Sequence, residues 1–161
     1  MIIFVLLVSL LVCFTGVLLV GAPYLPTLTP QVKTALRLAE LKPGQTLLEL
    51  GCGDGKVLIA AAKQGHQAIG YELNPVLATI AWLRTRRYRQ LISVRWTNMW
   101  SANWPPADVI FVFLLPRYMS RLDAVIQQSA DRPVRLISFA FVIPGKKISR
   151  QQNGVYVYDY R

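Results

Sequence analysis

Cysteine and histidine are scarce in this sequence, and their scarcity narrows the chemistry that it can perform. Two cysteines and one histidine occur among 161 residues. Cys13 falls in an apolar run and Cys52 in a glycine-rich segment, so the pair makes neither a disulfide framework nor a zinc site. His66 falls between two predicted elements with no identifiable partner, which is typical of a solvated histidine. We therefore predict that the protein binds no metal.

Acidic residues are also few. Eight Asp and Glu stand against 18 Lys and Arg, which gives a formal net charge of +10 at pH 7. The densest basic cluster ends a predicted helix, at Arg84, Arg86, Arg87 and Arg89. Cations suit a helix C-terminus, but this cluster is dense enough to contact anionic lipid or nucleic acid. Charge alone does not separate these two partners.

Charged residues are absent from the N-terminal segment. Ile2–Val20 contains none, and about 20 apolar residues suffice for a helix to span the hydrocarbon layer. A signal peptide would carry a basic start and a shorter apolar core. We predict a transmembrane anchor over residues 1–22 and one domain over residues 23–161. Because Lys33 and Arg37 follow the anchor and no basic residue precedes it, the domain is expected on the cytoplasmic side of the membrane.

Two common phosphate-binding patterns are missing from the glycine-rich segment that follows the first predicted strand. The strand Thr46–Leu50 runs into glycines at every second position of Gly51–Gly55. A dinucleotide pattern would have glycine where Lys56 stands, and a phosphate loop would have Ser or Thr where Val57 stands. Glycine lets the backbone approach a ligand closely, and a helix that starts here points free N–H groups into the crevice. The segment therefore predicts a ligand loop of another type.

Strands and helices alternate along the rest of the chain. Ala107–Leu115 is almost continuously apolar, as a parallel strand buried on both faces should be. Asn153-Gly154 between two short strand-like runs is a strong hairpin signal. The pattern predicts an α/β fold with a doubly wound, mostly parallel sheet and a terminal β-hairpin. The remaining predicted strands are Gln67–Tyr71, Leu91–Trp96 and Val134–Phe141, with Ile148–Gln152 and Val155–Tyr160 in the hairpin.

A family resemblance rests on several segments in one order. The E-x-G-x-G-x-G segment from Glu49 and the segment Gly70–Pro75 together resemble the glycine loop and acidic loop of class I S-adenosylmethionine-dependent methyltransferases. Two further features are the proline-rich join Pro23–Thr27, which reads Pro-Tyr-x-Pro-Thr, and Trp100 after the third strand. With them, the chain is similar over nearly its whole length to membrane-anchored lysine methyltransferases related to the mitochondrial ATP synthase c-subunit lysine methyltransferase. The resemblance implies a Rossmann-like class I methyltransferase domain with S-adenosyl-L-methionine as its cofactor.

The resemblance also implies the cofactor contacts. The acid after the second strand, here Glu72, accepts hydrogen bonds from both ribose hydroxyls, and a carboxylate suits a diol because it offers acceptors only. The residue that meets the adenine amine is usually Asp in the family, whereas this chain has Asn98, whose amide oxygen can still accept. Carried over by position, the cofactor-binding residues are Glu49, Gly51, Cys52, Gly53, Asp54, Gly55, Glu72, Leu73, Asn98 and Met99.

Methyl transfer from this cofactor asks little of acid–base groups, and we name no catalytic side chain. A sulfonium methyl is already activated, so in-line attack needs a neutral nucleophile, alignment and a dry pocket. A lysine amine, with a pKa of about 10.4 in peptides, must first lose its proton, and apolar surroundings and positive charge both promote that loss. The resemblance implies substrate contacts at Tyr24, Pro26, Thr27, Trp100, Leu115 and Pro116.

The expected acceptor is a lysine on a membrane protein near the bilayer, since the join between anchor and domain is only a few residues long. An anionic lipid surface is a second expected partner, because basic residues are attracted to it. Methylation of DNA-base amino groups is disfavoured, since Leu114–Arg117 stands where such enzymes have [DN]-P-P-[YF]. Two alternatives stay open: an RNA methyltransferase, because the same basicity would bind phosphates, and a non-catalytic nucleotide-binding membrane protein with a decayed site, which Asn98 favours.

Overall fold

The computed structural model describes residues 1, 3–5, 8, 25–129 and 132–160. Most of the predicted anchor lies outside these residues, as does Tyr24. Within the described ranges, no helix is both long enough and apolar enough to cross a bilayer. The longer helices of the described domain are α1 Thr29–Ala39, α2 Lys56–Ala62, α3 Pro75–Thr85 and α4 Pro116–Ser129.

The described strands form one seven-stranded sheet in the order β3-β2-β1-β4-β5-β7-β6. β1 to β5 pair in parallel, while β7 runs antiparallel to both β5 and β6. The predicted mostly parallel, doubly wound sheet with a terminal hairpin is therefore confirmed. The strands are β1 Thr46–Leu50, β2 Gln67–Glu72, β3 Ile92–Trp96, β4 Val109–Val112, β5 Val134–Phe139, β6 Arg150–Gln152 and β7 Val155–Tyr160.

Each face of the sheet is covered by helices, so the protein has a core on each side. On one face, buried residues of α1, α2 and α3 pack on alternate residues of β1, such as Leu47. On the other face, Met119, Leu122 and Ile126 of α4 pack with Leu48 and Leu50. Because side chains alternate along a strand, β1 serves both cores. This arrangement explains why its apolar run is nearly unbroken.

Two local predictions are confirmed, and four strands (β3 to β6) are shorter than predicted, β4 by the most. The Asn74 side chain caps α3: its Oδ1 accepts hydrogen bonds from the N–H groups of Val76 at 2.9 Å and Leu77 at 3.3 Å. Asn153 and Gly154 both have positive φ, 50° and 74°, as a type I′ hairpin turn requires. β4 covers only Val109–Val112 instead of the predicted Ala107–Leu115, because the apolar residues after it line the end of the sheet without joining the strand ladder.

The strand order creates a crevice at one edge of the sheet. The chain moves from β1 to β2 on one side and reaches β4 on the other side of β1. In open parallel sheets, ligands bind outside the carboxyl ends of the strands where the winding direction reverses. The loops that follow β1, β2, β3 and β4 all reach this edge, and they carry the candidate site.

Candidate functional site

The glycine loop after β1 folds back on the end of β2. Its three glycines have positive φ, at 82° for Gly51, 53° for Gly53 and 76° for Gly55, a region that side chains with a Cβ rarely adopt. The N–H groups of Gly51 and Cys52 donate to the carbonyl oxygen of Tyr71 at 2.8 and 2.9 Å. Backbone hydrogen bonds therefore fix the start of the loop against the end of β2.

Glu72, at the end of β2, joins this loop to the next one. Its Oε2 accepts from the N–H of Gly53 and its Oε1 accepts from the N–H of Asn74, both at 2.8 Å. The side chain is buried, yet a carboxylate has about four acceptor sites and these bonds use two. Glu72 therefore shapes two loops and keeps acceptor capacity for a ligand.

Glu49 is a buried carboxylate with spare hydrogen-bonding capacity. It is only 4% exposed, and its Oε2 has no partner among the described residues. Burial raises the pKa of Glu49 well above its usual range, the nearby charges of Asp54 and Glu72 raise it further, and a hydrogen bond from the Leu58 backbone acts the other way. An unpaired buried carboxylate is costly, so this position favours a cationic or donating ligand group.

The loop packs very closely on β2 at Gly70. A Cβ added there would lie 2.5 Å from Cδ1 of Leu58 and 2.7 Å from Sγ of Cys52. Burial raises the pKa of the Cys52 thiol, and the charge of Glu49 adds to the effect, so this thiol is not a nucleophile at neutral pH. The buried Cys52 side chain thus packs against Gly70 beneath the loop.

One polar contact places the join against the same loop, and two others order the end of that loop. Asp54 accepts from the backbone N–H of Lys56 at 3.2 Å and forms an ion pair with Arg84. The ammonium group of Lys56 donates to the carbonyl oxygen of Thr27 at 3.0 Å. Thr27 is buried, whereas Pro26 is exposed. Of the residues predicted for the join, the structure therefore places Thr27 beside the glycine loop.

Lys56 was missed by the sequence reasoning, which treated it only as the residue that breaks a dinucleotide pattern. The sequence does contain one signal for its role. A cation in the first turn of a helix is unfavourable with respect to the helix dipole, so Lys56 is expected to make a compensating contact. The hydrogen bond to Thr27 is that contact.

Replacement of Lys56 by Met is expected to loosen the join. The variant loses one hydrogen bond, worth about 0.5–1.5 kcal/mol. The fraction of molecules in which residues 25–28 are detached from the domain should therefore rise about 2- to 10-fold. Limited proteolysis of the segment measures this change. The matched control is Lys63→Met, at the exposed far end of the same helix. Equal cleavage of the two variants would contradict the role of Lys56.

The loop after β3 is ordered by its own polar groups. Oδ1 of Asn98 accepts from the N–H of Trp100 at 3.0 Å, which leaves one lone pair and the amide nitrogen for a ligand. The carbonyl oxygen of Met99 accepts from the Trp104 indole at 2.7 Å. Leu73 similarly accepts from the Trp96 indole at 2.9 Å. The predicted adenine contact at Asn98 stays a prediction, and its geometry is compatible with it.

An aromatic and basic cluster lies beside the loop after β4. The rings of Trp100 and Tyr118 lie 5.8 Å apart, and the Arg121 guanidinium stands 4.4 Å from the Trp100 ring centroid. Leu115 is half-buried and accepts from the N–H of Tyr118, and Pro116 is the exposed first residue of α4. Three of the predicted substrate residues, Trp100, Leu115 and Pro116, therefore share one region.

Two described cavities lie elsewhere, at the opposite edge of the sheet. One, of about 150 Å³, lies beneath α4 near Trp104 and Ala107. The other, of about 570 Å³, lies near Gln45 and Asp108, before β1 and β4 begin. The residues lining them include none of the predicted cofactor contacts, so neither cavity bears on the site at the glycine loop.

Comparison with known proteins identifies relatives over most of the chain. Residues 49–150 match the family model described as the ANTKMT methyltransferase domain. The ATP synthase c-subunit lysine N-methyltransferase of Xenopus laevis is 33% identical over 124 residues, covering 76% of this chain and 54% of that protein. A protein-lysine N-methyltransferase of Saccharolobus islandicus is 27% identical over 148 residues, covering 84% of this chain and 92% of that protein.

Solved structures show the same fold. An RNA methyltransferase from Salinibacter ruber, in complex with S-adenosyl-L-homocysteine, superposes with a TM-score of 0.77 at 26% identity, covering 84% of this chain and 92% of that one. The chain spans about half the length of the ATP synthase c-subunit lysine N-methyltransferases that it matches in Xenopus laevis, Homo sapiens and Mus musculus.

Proposed function

Because the chain belongs to the ANTKMT methyltransferase domain family, we propose that it is an S-adenosyl-L-methionine-dependent methyltransferase acting on a lysine amino group of a membrane protein. The proposal includes a transmembrane anchor over residues 1–22 and a domain on the cytoplasmic side. The names of the relatives support the lysine acceptor. The single structural observation that carries the proposal is the orphaned carboxylate of Glu49 beside the glycine loop.

The residues at this loop fit the cofactor. The unpaired, buried Oε2 of Glu49 suits the ammonium of a methionine moiety, because an opposite charge compensates its burial. Glu72 retains two acceptor sites, which is the number that a ribose diol requires. The positive-φ glycines let the backbone lie against the ligand. When bound, the cofactor supplies a methyl group that is already activated on its sulfonium.

The chain's own contribution to methyl transfer is an apolar surface beside the crevice. Phe113, directly after β4, packs on Phe139 with ring centroids 4.7 Å apart and on Phe141 at 6.3 Å. These residues stand at the carboxyl ends of β4 and β5, next to the loop that carries Leu115 and Pro116. An apolar surface favours the neutral form of an amine, so it favours the nucleophilic state of a lysine side chain.

The position of the join supports a substrate near the bilayer. Thr27 is tied to Lys56 at 3.0 Å, so only a few residues of chain separate the cofactor loop from the proposed anchor. A pocket held in this way samples acceptors near the membrane surface. That placement favours a membrane protein over a freely diffusing one.

One labelling experiment tests the function. The full-length protein is incubated with tritiated cofactor and with extracts of a strain that lacks it, separated into membrane protein, soluble protein and RNA. We expect label in membrane protein, on lysine after hydrolysis. Label chiefly in RNA would overturn the assignment in favour of the activity named for the Salinibacter ruber protein. An absence of both label and S-adenosylhomocysteine binding would indicate a decayed site.

Cofactor binding is also expected to depend on pH through Glu49. Its pKa in the free protein is raised by burial and then by the charges of Asp54 and Glu72, and a bound ammonium group lowers it again. Binding should therefore release a proton, and affinity should rise with pH, by up to about tenfold per pH unit, between the bound and free pKa values. Calorimetry in buffers of different ionisation enthalpy measures the proton release. Glu49→Gln should abolish it, and unchanged release in that variant would refute the assignment.

A further inference from the structure

The outer side of α3 exposes large apolar side chains. Ile80, Trp82 and Leu83 are 38%, 55% and 51% exposed. In the following 3-10 turn, Arg86 comes four residues after Trp82 and Arg87 four after Leu83, and residues three and four apart are neighbours on a helix surface. We call these five residues the arginine–tryptophan face. Exposed apolar residues grouped in this way mark an interaction surface.

This face is uniformly basic. The sequence holds five arginines and no Asp or Glu from Leu73 to Ala107. The Arg86 guanidinium lies 5.4 Å from the Trp82 ring centroid, and that of Arg87 lies 5.1 Å from the Tyr88 ring centroid. Among the described residues, no carboxylate forms an ion pair with Arg86 or Arg87, whereas Arg84 pairs with Asp54. Their charge is therefore available to an anionic partner.

The arginine–tryptophan face adjoins the join. Arg84 contacts Asp54, whose neighbour Lys56 holds Thr27. The helix itself packs on the same loop, because a Cβ at Gly55 would lie 3.1 Å from the Thr85 side chain. The join and the residue after it expose two further apolar side chains, Leu25 at 57% and Leu28 at 60%. Apolar and basic groups of both segments thus lie at one end of the domain.

We propose that the arginine–tryptophan face docks on an anionic phospholipid bilayer. Trp82 suits the headgroup level, where aromatic side chains with one polar atom are enriched. Ile80 and Leu83 can enter the acyl boundary, as on helices that lie in the membrane interface. Arg86 and Arg87 can bind phosphate. A nucleic acid would use the arginines but would leave Ile80 and Leu83 in water, since these side chains neither stack on bases nor form hydrogen bonds.

Docking goes beyond methyl transfer and does not depend on it. Lipid binding by this face would orient the domain on the surface, whereas the proposed anchor only tethers it. The test therefore reads the position of Trp82 and not the activity, and loss of cofactor binding would leave its outcome unchanged.

The experiment uses the full-length protein reconstituted in vesicles that contain brominated lipid, which quenches nearby tryptophans. One set contains phosphatidylcholine alone, and the other is an equimolar mixture with phosphatidylglycerol. The difference between the natural protein and Trp82→Phe isolates the signal of Trp82. We expect stronger quenching of Trp82 in the mixed vesicles, and Arg86→Gln/Arg87→Gln should return it to the level in phosphatidylcholine. Each basic residue near an anionic surface contributes about 1 kcal/mol of attraction, so the loss of two arginines should lower the ratio of docked to undocked domain about 30-fold.

The matched control removes the same charge elsewhere. Lys42→Gln/Lys63→Gln changes two exposed lysines near the opposite edge of the sheet and should leave the quenching unchanged. Unfolding temperatures of both double variants show whether they are folded. Equal quenching of Trp82 in the two vesicle sets overturns the proposal. The proposal is also overturned if the Arg86→Gln/Arg87→Gln protein loses binding to single-stranded RNA while its Trp82 quenching stays unchanged. That result would assign the face to nucleic acid.

Discussion

Replacement of Glu72 by Ala is expected to weaken binding of S-adenosylhomocysteine by roughly 10- to 150-fold. Loss of a charged acceptor to the ribose costs about 1.5–3 kcal/mol, and 1.4 kcal/mol corresponds to a factor of ten. The same change also leaves the N–H groups of Gly53 and Asn74 without their acceptor, which lies at 2.8 Å from each. Calorimetry measures the affinity.

Two companion variants separate ligand binding from folding. Glu72→Gln keeps one carbonyl oxygen and should stay folded with intermediate affinity. Asp108→Asn changes a carboxylate that likewise accepts from the backbone, at 2.8 Å from the N–H of Thr46, but at the opposite edge of the sheet. It should lose stability and keep its affinity. An Ala variant at Glu72 that binds as tightly as the natural protein would place the ribose elsewhere.

Gly70→Ala is expected to damage stability and binding together. The new Cβ would lie 2.5 Å from Leu58 and 2.7 Å from Cys52, and overpacking of this kind costs about 1–3 kcal/mol. Because Cys52 belongs to the glycine loop, relief of the clash displaces the loop that would hold the cofactor. Chemical denaturation measures the free energy of unfolding, and calorimetry with S-adenosylhomocysteine measures the loss of affinity.

Gly44→Ala is the control for this second prediction. Gly44 has a φ of 82° with open space around it, so alanine there costs about 1–2 kcal/mol of backbone strain without a clash. It precedes β1, away from the loop, and affinity should not change. A Gly70→Ala protein with reduced stability but natural affinity would show that the loop is not displaced.

The fold was largely predictable because its signals are periodic or local. Four features each depend on neighbours in sequence: the nearly continuous apolar run of β1, the continuous one of β4, the cap at Asn74 and the turn at Asn153-Gly154. The end of β4 was misplaced for the same reason. Leu114 is buried and extends the apolar run, but burial at the end of a sheet has the same sequence signature as burial within a strand.

The candidate site was predictable only as a set of residues. Resemblance brought Glu49, Glu72 and the glycines to one place, and the sheet order agrees with it. The contacts between them were not predictable, because Lys56 reaches a residue 29 positions away and Arg84 one 30 positions away. No periodicity links such pairs, and only the packing of α2 beside α3 and the join brings them together.

If the proposed anchor is present, the contact between Lys56 and Thr27 limits the height of the glycine loop above the membrane. In the proposed topology the apolar run ends at Val20, and the roughly seven residues from there to Thr27 can span at most about 25 Å when fully extended. The glycine loop cannot rise farther than that tether allows. In that topology, selection among acceptors would depend on their distance from the bilayer as much as on local sequence, and lysines on tall extramembrane domains would lie out of reach.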